Sequence, residues 1–140
     1  TGYVSHLESV RWLQRADALF LPLHGLPAGH RSLIVPGKVY EYLAARRPIL
    51  ACLPEGDARD LVEESGLGFF ADPCDPESIA KALIDLYDST TRRTITVDPL
   101  PPSLMRYERK QLTRDLAMFL DRVLQKSDGE RSKQRTMKDE

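Results

Sequence analysis

Apolar residues in this chain fall into short dense runs separated by stretches of helical spacing. ADALFLPL, Ala16 to Leu23, is almost continuously apolar, the pattern of a strand covered on both faces and placed centrally in a parallel sheet. PILACLP, opening at Pro48, predicts a second buried strand, and GLGFFA, Gly66 to Ala71, a third. SHLE, Ser5 to Glu8, has the form of a capping box and predicts a helix from about His6 to Arg15. A further helix opens at Pro36 and must end before Pro48, because the residue preceding a proline is pushed out of the helical region. Helices from about Asp57 to Glu64, stopping at Gly66, and from Asp75 to Tyr87, with Ile79, Leu83 and Leu86 on one stripe, complete the alternation.

With Thr1-Gly2 taken as the end of an earlier strand, the order is β-α-β-α-β-α-β-α. The predicted fold class is therefore α/β, a Rossmann-like parallel sheet flanked by helices, followed by one more helix after a Pro-rich connector. Residues 1–88 form the core in this reading. Residues 89–103, with three prolines, form the connector. Residues 104–126 carry Leu112, Leu116, Phe119, Leu120 and Val123 at helical spacing. Residues 127–140 hold almost no apolar residue and are expected to be disordered.

Composition narrows the classes without changing this picture. With 140 residues, 41% hydrophobic and 29% charged, the chain suits one ordinary core, and no apolar run approaches the roughly 20 residues that span a membrane. A net charge of −1 offers no general field for nucleic acid. Cys52 and Cys74 lie far apart with no zinc-type spacing, so reduced structural thiols are expected and a metal site is not. No secretory signal opens the sequence, which makes a cytoplasmic setting the default. Beginning on Thr-Gly without an initiator Met, the chain reads as a piece of something longer.

The stretch VPGKVYEYLAARRPIL, Val35 to Leu50, is where chemistry enters. A helix that opens at Pro36 leaves its first amides unpaired, and with the macrodipole these favour an anion such as a diphosphate. Gly37 admits close approach to the backbone. Lys38 adds a positive charge in the first turn, where it opposes the dipole unless a negative guest is present. At about 100° per residue, Lys38, Glu41, Tyr42 and Ala45 share one face, while Val39, Leu43 and Tyr40 turn to the sheet. A carboxylate about one turn behind an anion site can accept both hydrogen bonds of a ribose diol. The plain alternative is an exposed Lys38–Glu41 pair worth a few tenths of a kcal/mol.

Read together, GYVSHLESVRWLQRADALFLPL, VPGKVYEYLAARRPILA and GLGFFADPCDPESIAKALIDLY resemble the C-terminal nucleotide-binding domain of GT-B-fold glycosyltransferases of the retaining family 4, or group 1, type. The resemblance spans about Thr1 to Leu124. It implies transfer of a sugar from a UDP-, GDP- or similar nucleotide sugar to a saccharide or lipid-linked acceptor, in polysaccharide biosynthesis, without a metal or other cofactor. By resemblance Glu41 holds the ribose, the backbone at Val35, Pro36, Gly37 and Lys38 faces the diphosphate, and Tyr3 and Val4 meet the base. No side chain is assigned a catalytic role. Leu33 stands eight positions before Glu41, where many relatives carry a second glutamate for the donor sugar. The implied partners are an N-terminal domain of the same protein, the inner membrane face as a peripheral contact, and a second copy through the last helix. A non-catalytic nucleotide-binding or assembly module and a GT-B-fold sugar-nucleotide epimerase are the alternative readings.

Paired basic residues at Arg46-Arg47 and Arg92-Arg93 are accounted for by a helix C-terminus and a solvated loop, and His24 and His30 by solvation. Trp12 is assigned to packing.

Overall fold

The computed structural model describes residues 2–92 and 101–136. Contacts divide the chain into two units, Thr1–Leu104 and Met105–Glu140. The first is an α/β unit with a three-stranded parallel sheet, β1 (Leu19–Pro22), β2 (Ile49–Cys52) and β3 (Gly68–Ala71), in the order β1-β2-β3. Helices α1 (His6–Arg15), α2 (Gly37–Ala45), α3 (Asp57–Ser65) and α4 (Pro76–Thr91) flank it.

Local signals act as expected at the helix ends. Ser5 Oγ accepts from Glu8 N at 3.3 Å and starts α1. Asp75 Oδ1 accepts from Glu77 N at 2.9 Å and starts α4, with Pro76 in the first turn. Gly66 closes α3 in the left-handed region, at φ 70°.

Strand alternation assigns the two faces of the sheet. Leu50 and Cys52 of β2 pack with Ala71 of β3 and with Ile79 and Ala82 of α4. Ile49 and Ala51 point the other way and are fully buried. Right-handed crossovers in a 1-2-3 strand order put α2 and α3 together on that second face. There Val39, Leu43, Ala58, Leu61, Val62 and Leu67 close the core.

Two expectations about burial are corrected. The ADALFLPL strand is not central and not covered on both faces: β1 lies at an edge of the described sheet, with Leu21 at 0% and Phe20 at 55% exposure. The reason is that α4 packs over β3 and β2, and the Phe20 side of β1 lies beyond them. Leu83 likewise leaves the expected α4 stripe and is exposed, the buried positions being Ala82 and Leu86.

The earlier strand end expected at Thr1-Gly2 falls partly on Thr1, outside the described residues, and Gly2 is not in a strand. Helix α4 takes the first three connector residues, and residues 93–100 of the connector lie outside the described residues. A 3-10 helix, Pro102–Tyr107, follows, with Leu104 buried. In the second unit, α5 (Arg109–Thr136) runs past the end expected at Lys126, through a segment rich in the helix formers Glu, Arg, Lys and Gln. Its apolar residues, Leu112, Leu116, Phe119, Leu120 and Val123 among them, are exposed. No described helix is long and apolar enough to cross a membrane.

Candidate functional site

Helix α2 starts without a cap of its own. Pro36 at the N-cap is extended (φ −61°, ψ 140°), contributes no side-chain hydrogen bond, and is followed by no acidic residue in the first turn. The amides that open the helix therefore have no internal anion to answer the positive end of the dipole. A Cβ added at Gly37 would meet nothing within 4 Å, so no packing inside the protein requires glycine there. What glycine leaves open is the approach from outside.

The side chains of this helix divide cleanly. Val39 and Leu43 are buried at 0% and 4% exposure, and Glu41 lies roughly opposite their stripe at the helical repeat. Lys38 and Glu41 are both exposed, and among the described residues neither has an ion-pair partner, each other included. Tyr40 departs from expectation: it is 39% exposed because it stands some 80° off the buried stripe, on the flank of the helix. Tyr42 departs too. It occupies the opposite flank, half-buried, and its hydroxyl donates to Phe20 O at 3.4 Å, so it serves β1 instead of the Lys38–Glu41 face.

The loop that leads into α2 is anchored. Ser32 N donates to Glu55 O at 2.8 Å and Asp57 N donates to Ser32 O at 2.9 Å, an isolated parallel bridge between Ser32 and Gly56. Ile34 N donates to Ser32 Oγ at 3.3 Å. Beyond this anchor Leu33 and Ile34 stand exposed at 79% and 65% just before the helix start, with Val35 and Pro36 half-buried behind them. No feature of the sequence singled out Ser32, because the bridge joins segments 24 residues apart.

The structure brings Val35, Pro36, Gly37, Lys38 and Glu41 together on one loop-to-helix junction. Tyr3 and Val4 stand immediately before α1, which packs on α2; Tyr3 is fully exposed and Val4 half-buried. His24 and His30 are exposed. Arg47 donates from Nη2 to Gln14 O in the last turn of α1, tying the two helices together, and Arg46 closes α2 at φ 54°. Trp12 is 45% exposed on α1. Among the described residues no group of three His, Cys, Asp or Glu side chains could hold a metal ion.

This helix start could receive an anion, and the outward carboxylate could accept hydrogen bonds from hydroxyl groups. The family model described as Glycosyl transferases group 1 matches residues 1–89, which contain the whole of β1 to β3 and the α2 junction. The chain belongs to the group 1 glycosyltransferases. No curated protein and no solved structure matches it. Within this glycosyltransferase domain, the matched region ends inside α4, and α5 lies beyond it.

Proposed function

We propose that this group 1 domain is the donor-binding half of a retaining, family 4 type glycosyltransferase, and that the start of α2 receives a nucleoside diphosphate sugar. The observation that carries the reading is the pairing of an uncapped helix start with two exposed charges, Lys38 and Glu41, that have no ion-pair partner among the described residues and stand on the face left free by Val39 and Leu43.

The chemistry follows from placement. When the bond between the anomeric carbon and the diphosphate oxygen breaks, negative charge grows on the leaving diphosphate. Amides of Gly37 and Lys38 and the Lys38 ammonium stabilise that charge, an effect that strengthens as the transition state develops. Glu41, about one turn further on, accepts hydrogen bonds from the two ribose hydroxyls and fixes the nucleoside so that the diphosphate meets the helix start. Tyr3 and Val4 contribute to the base end. The reading requires no metal and assigns no nucleophile; the acceptor, a saccharide or a lipid-linked saccharide, approaches from another part of the full protein.

Titration of the chain with UDP, GDP and their sugars, followed by calorimetry, tests this. Micromolar to millimolar binding is expected, with a loss of roughly 1.5 to 3 kcal/mol in Glu41→Ala, the scale for hydrogen bonds to a charged group. Equal affinity in the two proteins sinks the ribose assignment.

A further inference from the structure

Helix α5 presents an apolar stripe in the open. From Leu112 to Lys126 every residue is exposed, apolar and polar alike. Helices in water are held mainly by packing of such a stripe, so one left exposed calls for a surface to cover it.

The spacing describes that surface. Leu112, Leu116, Phe119 and Val123 follow at intervals of four, three and four, the repeat by which two helices interlock at a crossing of about 20°. At about 100° per residue the four fall within about 60° of arc. Thr113 and Leu120 border the stripe on one flank and Asp115 and Arg122 on the other, each about 70° to 90° from its centre. Arg109 and Lys126 occupy the next positions of the repeat on either side. The apolar seam is thus limited to four layers, about 17 Å long.

This seam matches itself read backwards. A second copy of α5 laid antiparallel sets Leu112 against Val123 and Leu116 against Phe119, each twice, so every apolar layer is filled. Helical side chains lean toward the N-terminus of their own helix, which brings Asp115 of one copy level with Arg122 of the other. Two such opposite-charge pairs form, related by the twofold axis. Within one chain Asp115 Oδ1 accepts from Gln111 Nε2 at 2.8 Å, and neither Asp115 nor Arg122 has an ion-pair partner among the described residues. On the other flank Leu120 meets Thr113 and widens the apolar contact. A parallel pair would stack the same four residues but set Asp115 against Leu120, and the opposite charges would not meet. An anionic lipid surface is a poorer match, because Asp115 stands at the border of the stripe where a surface-lying helix carries Lys or Arg.

We propose that α5 pairs antiparallel with α5 of a second copy of this chain, through Leu112, Leu116, Phe119 and Val123 and flanked by two Asp115–Arg122 pairs. The proposal is independent of the nucleotide reading. A seam this short makes a weak, reversible dimer.

The test is sedimentation equilibrium of the full 140-residue chain, kept reduced because Cys74 is exposed, from about 1 µM to 1 mM. A reversible monomer–dimer equilibrium is expected, and Phe119→Asp should be monomeric throughout. Asp115→Arg and Arg122→Asp each replace attraction by repulsion at both pairs and should raise the Kd about tenfold. An equimolar mixture of these two variants, and the chain carrying both substitutions, should regain the wild-type Kd, since the opposite charges then meet again. A wild-type chain that stays monomeric overturns the proposal; if it then floats with vesicles of phosphatidylcholine and phosphatidylglycerol, the stripe belongs to a lipid surface instead. A dimer whose Kd ignores both charge reversals, or a mixture that fails to recover, overturns the antiparallel pairing. Circular dichroism checks the fold of each variant, and should one single variant misfold, the wild type and the doubly substituted chain decide.

Discussion

Ser32 and Gly56 approach so closely that the space a Cβ at Gly56 would occupy lies 2.1 Å from Ser32 O. Gly56 holds φ at 149°, a conformation that side chains rarely adopt, and from it the chain enters α3 with Asp57 N bonded back to Ser32 O. Gly56→Ala combines a backbone clash with a strained dihedral, and a loss of about 2 to 3 kcal/mol is expected. Urea denaturation followed by circular dichroism measures it. A change within about 0.5 kcal/mol, the range of ordinary surface substitutions, would mean that the bridge does not hold the loop.

Lys38 and Glu41 are expected to fail in different ways. On the proposed reading Lys38 answers the diphosphate, so Lys38→Met should weaken UDP by about tenfold while leaving uridine nearly unchanged, and the UDP difference should shrink as salt rises. On the same proposal Glu41 answers the ribose, so Glu41→Ala should weaken uridine and UDP by similar factors. Calorimetric titration of both ligands against both variants separates the two roles. Identical patterns in the two variants would contradict this division of labour.

Neighbouring residues on β1 should differ sharply in their contribution to stability. Leu21 is fully buried, and Leu21→Ala is expected to cost about 2 to 5 kcal/mol through lost transfer energy and a residual cavity. Phe20 is 55% exposed, and Phe20→Ser should cost much less, about 1 kcal/mol or under. Chemical denaturation of the two variants gives the comparison. If Phe20→Ser proves as costly as Leu21→Ala in this chain, the open face of β1 is covered in solution.

The two thiols should react in two phases. Cys74 is exposed, whereas Cys52 is buried in the cluster with Ala71 and Ala82, and desolvation there raises its pKa. Because the thiolate is the reacting species, a raised pKa and burial act in the same direction and slow Cys52. With a chromogenic disulfide reagent near neutral pH, one thiol is expected to react quickly and the second only on addition of denaturant. Two equally fast thiols in the native protein would be inconsistent with this core.

Most of the architecture was legible in the chain itself. Ser5 and Glu8, Pro36, Pro48, Gly66 and Asp75 mark helix and strand ends by mechanisms that act within a few residues, and the observed elements begin and stop at or near them. Periodicity also separated Val39 and Leu43 from Glu41 on α2, since the helical repeat alone sets them on opposing sides. The position of Lys38 in the first turn needed nothing more. Tertiary structure decided the remainder. An apolar run such as ADALFLPL looks the same at an edge as at the centre of a sheet, and only the reach of α4 over β3 and β2 leaves Phe20 open. Tyr42 could have joined the Lys38–Glu41 face, but its hydroxyl reaches the Phe20 carbonyl of β1. The Ser32–Gly56 bridge joins residues far apart in sequence, and local pattern carries no information on which distant segments meet. Helix ends and buried faces were therefore readable from local rules, while edges and anchored loops arise only once the chain is packed.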